Sequence, residues 1–219
     1  MTFIKICGIT NIEDANVAVD MGTDALGFIF ANSPRQITPK TAHEIISSLP
    51  SDRLVVGVFV NYQPKEIIEI KEYCGLDTVQ IHDDITDLDQ IKSHVRLIKG
   101  IRVKPGQPIP QLFDPNIIPL LDTYSKSTQG GTGKTFDWHQ AIDIANKQPI
   151  ILAGGLTPEN VDLAIKTVRP FAVDVSSGVE KAKGLKDHKK ISAFIKQVRS
   201  TDQKVSSHQY VRFKDYFSQ

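Results

Sequence analysis

The strongest constraint on this chain is a regular alternation of two hydrophobic periods. Short apolar, β-branched runs recur about every 24 residues, a spacing in keeping with a strand–helix unit. Strands are expected at 3–7, 25–30, 54–60, 78–82, 97–103, 117–122, 149–153 and 172–176. Amphipathic helical patterns fall between them, at 12–21, 38–48, 65–73, 87–94, 136–146, 158–168 and 187–199. Asn11 and Thr38 are candidate N-caps, and Pro64 is a first-turn proline. Segment 104–116 carries Pro105, Pro108, Pro110 and Pro115, which leaves room for little more than one helical turn.

Strict β–α alternation implies parallel strands joined by right-handed crossovers. Eight such units close into a (β/α)8 barrel, a TIM barrel of the α/β class, and 219 residues is near the lower size limit for one. The rival is an open doubly wound sheet, which would carry a glycine fingerprint after its first strand. Here Cys7-Gly8-Ile9-Thr10-Asn11 follows that strand and the glycine-rich turns come late, which favours the barrel. The barrel should occupy residues 1–199, with 200–219 as a C-terminal tail. In the tail, Tyr210, Phe213 and Phe217 have helical spacing, so it is expected to be either partly docked or flexible.

Composition narrows the function classes. Twenty-six Lys and Arg against 25 Asp and Glu give a net charge of +1, which offers no electrostatic footprint for nucleic acid or an anionic membrane. The longest apolar stretches are strand-sized, and the first residues lack the pattern of a secretory signal. Two cysteines, Cys7 and Cys74, form no disulfide framework. These features point to a cytoplasmic protein that acts on a small molecule. The balanced surface favours a monomer over a homodimer.

Two glycine-rich turns follow the last two strands, Ala153-Gly154-Gly155-Leu156 and Ser176-Ser177-Gly178-Val179. Backbone N–H groups at such turns can cradle a phosphate, and serine hydroxyls add donors, so Gly154, Gly155, Ser176 and Ser177 are candidate phosphate ligands. The segment Gly130-Gly131-Thr132-Gly133-Lys134-Thr135 is not a nucleotide P-loop, because Thr128 stands where the motif needs its first glycine. It reads instead as a βα loop able to move over a ligand.

Catalytic groups of such barrels sit at the C-terminal ends of strands. Alternation places Cys7 on the face of Lys5, Asp122 on that of Leu120 and Ile118, and Ser176 on that of Asp174. Lys5 should favour the Cys7 thiolate unless it is taken up by Asp174, with which it is expected to form an ion pair in the barrel floor. Apolar neighbours should raise the pKa of Asp122 and keep a proton available for donation. Cys7 then suits the role of general base and Asp122 that of general acid. Arg35, after Pro34, is a candidate fork for a substrate carboxylate, and His82 is a candidate substrate contact. Of six histidines only His82 falls at a strand end, so no metal site and no cofactor are expected.

These residues also resemble a family. Lys5-Ile6-Cys7-Gly8, Gly27-Phe28-Ile29-Phe30, Ser33-Pro34-Arg35, Val79-Gln80-Ile81-His82, Leu121-Asp122-Thr123, Gly130 to Trp138, Ala153-Gly154-Gly155-Leu156 and Asp174 to Glu180 resemble phosphoribosylanthranilate isomerase, in order, over residues 3 to about 198. The resemblance implies an isomerase of tryptophan biosynthesis. Its reaction is the rearrangement of N-(5-phosphoribosyl)anthranilate to a carboxyphenylamino-deoxyribulose phosphate, with Cys7 as base, Asp122 as acid and Arg35 near the anthranilate end. One departure is Asp83 and Asp84, which follow His82 where the family usually has glycine; carboxylates there would repel an anionic substrate unless turned outward. The alternatives are a non-catalytic phosphometabolite-binding barrel and another sugar-phosphate isomerase or epimerase.

Overall fold

A computed structural model describes residues 1–82, 88–110, 114, 116–123 and 135–205. Eight parallel strands form a closed barrel in sequence order. They are β1 (Phe3–Cys7), β2 (Ala25–Ile29), β3 (Leu54–Phe59), β4 (Thr78–Ile81), β5 (Arg96–Val103), β6 (Ile117–Thr123), β7 (Ile151–Leu152) and β8 (Ala172–Val175). The crossovers carry α1 (Ile12–Asp20), α2 (Pro39–Ser47), α3 (Pro64–Cys74), α4 (Leu88–Lys92), α5 (Ile142–Ala145) and α6 (Val161–Val168). After β8 come a 3₁₀ turn (Ser177–Val179), a short hairpin of β9 (Glu180–Ala182) and β10 (Leu185–Lys186), and α7 (His188–Lys204). The described residues between β5 and β6 form turns and no helix, as the prolines there require.

Local chemistry sets the ends of these elements. The Asn11 side chain accepts the Asp14 N–H at 2.8 Å, and Thr38 does the same for Thr41 ahead of Pro39. Glu66 accepts the Gln63 N–H at 2.9 Å, and α3 stops at Gly75, whose φ of 71° suits a residue without Cβ. Asp187 caps α7 by accepting from Lys189 and Lys190.

The alternating pattern divides the core in two. Ala25, Val56, Ile98, Ile118, Leu120, Ile151, Ala153 and Ala172 fill the barrel interior, while Ile4, Ile6, Leu26, Phe28, Val79, Leu121 and Val173 face the helices. Closure joins β1 to β8, with Lys5 opposite Asp174. Beneath it the rings of Phe3 and Phe171 stack at 5.6 Å.

Four features depart from expectation. The strand expected at 149–153 is confined to Ile151–Leu152, and the helix expected at 136–146 is a 3₁₀ turn (Trp138–Ala141) followed by the four residues of α5. The hairpin of β9 and β10 has no strand-length apolar signal. The last helix does not end at 199 but runs to Lys204, because Thr201 is buried and Asp202 accepts the N–H and hydroxyl of Thr2 at 2.8 and 2.7 Å. The tail aromatics, Asp83 and Asp84, and the glycine loop up to Lys134 lie outside the described residues.

Phe59 is fully buried, stacked on Phe30 at 5.0 Å and edge-on to Tyr62 at 5.4 Å. Truncation to alanine removes these contacts from a site walled by strands that cannot collapse inward. Phe59→Ala is therefore expected to cost about 3–5 kcal/mol, read as a lower guanidinium midpoint at unchanged slope.

Candidate active site

The C-terminal ends of the strands open into one cavity of about 910 Å³, counted to its open mouth. Cys7 from β1, Gln80 from β4 and His82 just after it, Arg102 from β5, Asp122 from β6 and Asp174 from β8 line it. The loops add Asn32, Ser33, Arg35, Gly154, Gly155, Ser176 and Ser177, so all eight residues singled out in the sequence meet in one place.

Cys7 is buried, and Gly27 beside it on β2 makes room for its sulfur: a Cβ on Gly27 would lie 2.7 Å from Sγ. Lys5 Nζ reaches Asp174 Oδ1 at 2.9 Å, the expected ion pair. Burial works against the Lys5 charge, but Asp174 outweighs it and holds the ammonium firmly protonated. For Cys7 the expected pairing of Lys5 with Asp174 decides the balance. Burial raises its pKa, Lys5 pulls it down, the Asp174 carboxylate pushes it up, and the thiol ends above its ordinary range. The pair neutralises the charge that was to stabilise the thiolate.

Asp122 behaves as its neighbours predict. Burial lifts its pKa to about 6 against the bond it accepts from the Thr123 N–H at 2.8 Å. Gly154, at φ 82°, packs against this carboxyl, and a Cβ there would lie 2.9 Å from Asp122 Oδ1. His82 occupies the space that the missing side chain of Gly100 leaves on β5. Its Nε2 lies 2.7 Å from Gln80 Nε2, and burial pushes its pKa down to about 4, so the ring is neutral.

The glycine turns after β7 and β8 pack closely. A Cβ on Gly178 would collide with the Leu156 carbonyl, so that turn admits glycine alone. Asn160 braces the first turn, accepting the Thr157 N–H at 2.8 Å and donating to the Gly155 carbonyl at 2.9 Å. The Ser176 hydroxyl is buried in the cavity wall with no hydrogen-bond partner among the described residues, a group placed to meet a ligand.

Arg35 lines the cavity, but its fork is already engaged. Nε and Nη2 donate to the two carboxylate oxygens of Glu180 at 2.7 and 2.8 Å. The sequence reading did not foresee Glu180, which takes Nε and Nη2 of Arg35 while the residue still lines the cavity. Glu180 also accepts from Lys186 at 3.1 Å, and these two hydrogen-bonded cations, against burial, keep it ionised.

Sequence reasoning missed Lys186. It is completely buried, and its ammonium donates to the carbonyls of Cys7 at 2.6 Å and Ser176 at 3.2 Å as well as to Glu180. Its backbone N–H donates to Asp14, which also lies 2.8 Å from His188. A lysine in a two-residue hairpin strand looks solvated in sequence, and only the fold brings it under the site.

Among the described residues, no three of His, Cys, Asp or Glu converge to hold a metal ion, and no helix is long and apolar enough to cross a membrane. A closed parallel barrel with an acid, a thiol and two glycine turns at its C-terminal mouth defines a phosphate-handling barrel enzyme. Comparison with known proteins gives the family. Residues 4–197 match the model described as N-(5'phosphoribosyl)anthranilate (PRA) isomerase. The N-(5'-phosphoribosyl)anthranilate isomerase of Pseudomonas fluorescens strain Pf0-1 is 51% identical over 199 residues, covering 89% of this chain and 97% of that protein. The phosphoribosyl anthranilate isomerase of Thermotoga maritima superposes with a TM-score of 0.82 at 40% identity, over 91% of this chain and all of that one. Another structure of such an isomerase, in complex with reduced 1-(o-carboxyphenylamino)-1-deoxyribulose 5-phosphate, superposes with a TM-score of 0.79 at 38% identity, over 91% and 100%. The chain belongs to the phosphoribosylanthranilate isomerase family.

Removing the Lys186 charge takes a buried donor from the carbonyls of Cys7 and Ser176 and one of its two cations from Glu180. Lys186→Met is expected to lower stability by about 3–5 kcal/mol, checked by urea titration.

Proposed function

We propose that this chain isomerises N-(5'-phosphoribosyl)anthranilate to 1-(2-carboxyphenylamino)-1-deoxyribulose 5-phosphate, with Asp122 as general acid and Cys7 as general base. The observation that carries the assignment is an inward carboxyl with a pKa of about 6 sharing one cavity with an inward thiol. At pH 7 about a tenth of such carboxyls keep their proton, roughly a hundredfold more than for an ordinary aspartate.

The chemistry follows from these two groups. Asp122 donates a proton to the furanose ring oxygen as the bond from that oxygen to C1 breaks. The nitrogen lone pair forms the C1–nitrogen double bond of an iminium. The Cys7 thiolate then takes the proton from C2, and the electrons of that bond form a C1–C2 double bond and neutralise the nitrogen. The resulting enolamine gains a proton at C1 and loses one from its C2 hydroxyl, giving the ketone. The substrate nitrogen is the electron sink, so the steps need no cofactor. Each acid–base contact can supply about 10²–10⁴-fold.

Binding is assigned to the remaining residues. Gly154, Gly155, Ser176 and Ser177 hold the phosphate through backbone N–H groups and the unpartnered Ser176 hydroxyl. Neutral His82 serves as a hydrogen-bonding contact and not as a cation. Arg35, braced by Glu180, contacts substrate only through N–H groups other than those it gives to that carboxylate. A non-catalytic phosphometabolite barrel would need the loops alone and gives no reason for a carboxyl with a raised pKa.

In an assay with generated phosphoribosylanthranilate, Cys7→Ala is expected to lose at least about a hundredfold in kcat while still binding the reduced product analogue. Unchanged turnover would remove the base assignment. The pH profile supplies a second test. The competent form has Asp122 protonated and Cys7 ionised, the reverse of their order of titration, so it is the minor form between the two pKa values. The wild-type profile of kcat/KM should bend near pH 6 and again above the ordinary thiol range. Asp122→Asn, besides slowing turnover about a hundredfold or more, should erase the bend near 6 and leave a rise toward high pH. A bend near 6 that survives this substitution assigns the titration to another group.

A further inference from the structure

The proposed chemistry separates charge before it moves the C2 proton. Counted from the resting protein, one proton has left the sulfur of Cys7 and one has arrived on the ring oxygen. Asp122, mostly a carboxylate at pH 7, only relays its proton. A thiolate then stands beside a C1–nitrogen iminium cation. Two opposite charges in a partly desolvated cavity are stabilised by fixed charges arranged the opposite way round.

The floor holds such an arrangement. Lys5 lies two residues before Cys7 on the interior face of β1 and hydrogen-bonds its thiol. A Cβ on Gly27 would lie 2.7 Å from Cys7 Sγ and 3.1 Å from Lys5 Cε, so the sulfur and the lysine share one gap. Asp174 stands opposite Lys5 in the ladder and accepts from it at 2.9 Å. Asp174 lines the cavity and Lys5 does not. The pair therefore turns its ammonium toward the sulfur and its carboxylate toward the ligand. The other charges facing Cys7 are Lys186 from the hairpin and Arg35 from the loop after β2, and those facing Asp122 are Asp174, Arg102 and Lys5.

We propose that the Lys5–Asp174 ion pair is an electrostatic template for the charge-separated step, with Lys5 supporting the thiolate and Asp174 supporting the iminium cation. The inference rests on the isomerase reading. Turnover of phosphoribosylanthranilate by the wild-type protein tests that reading separately.

The experiment compares Lys5→Met, Asp174→Asn and the double variant by three measurements. These are kcat, the rate of iodoacetamide alkylation at the Cys7 peptide, and calorimetric binding of reduced 1-(o-carboxyphenylamino)-1-deoxyribulose 5-phosphate, whose nitrogen is not an iminium. Lys5→Met should slow alkylation at pH 7, because the thiolate loses its cation. Asp174→Asn should speed it, because a repelling carboxylate is gone. Both variants should nevertheless lose about a hundredfold in kcat. The analogue should bind Asp174→Asn within a fewfold of wild type. The double variant leaves neither charge buried alone, which protects folding, and it should stay as slow as the single variants. A carboxylate acting through the thiol alone predicts faster turnover in Asp174→Asn, in step with faster alkylation. Three outcomes overturn the template: an unchanged or raised kcat in Asp174→Asn, a loss of analogue affinity as large as the loss of kcat, or a double variant as fast as wild type.

Discussion

The ammonium of Lys186 sits where no water reaches it, and a charge so placed must find oxygen ligands. It takes one from Cys7 and one from Ser176, which fixes the end of β1 relative to the turn after β8. Its third partner, Glu180, in turn holds Arg35 against the cavity wall. The thiol, a phosphate turn and the loop after β2 are thus positioned by a single charge on the short hairpin. Lys5 and Asp174 repeat the principle one layer lower, where an ion pair stands among apolar side chains.

Burial also sets the chemistry. The same loss of water raises the pKa of both Cys7 and Asp122, which keeps a proton on the acid for donation and makes the thiolate scarce. The compensated floor beneath Cys7 explains why its neighbour Lys5 does not produce a standing thiolate. A thiol that is ionised only in a minor population is also protected from oxidation between turnovers.

Much of this was legible in the sequence where periodicity speaks. The eight strands and the inward positions of Cys7, Asp122 and Asp174 follow from alternation alone, and Asn11, Thr38 and Pro64 mark helix starts by their own chemistry. The hairpin carrying Glu180 and Lys186 was invisible because its strands are three and two residues long and charged. The pairing of Arg35 with Glu180 was not legible because the two lie 145 residues apart, a contact no local pattern encodes. The end of α7 was placed too early because the segment is polar and only its contacts with Thr2 make it helical to Lys204.

Those last contacts have a consequence for how the molecule comes into being. Asp202 grips Thr2, Arg199 donates to the Thr2 carbonyl at 2.7 Å, and Lys186 reaches back 179 residues to Cys7. A nascent chain leaving the ribosome therefore carries its first strand without a neighbour on one edge, and with Lys5 unpaired, until nearly everything else has been made. The reactive centre is complete only once residues 169 and 179 positions apart in the sequence have been brought together.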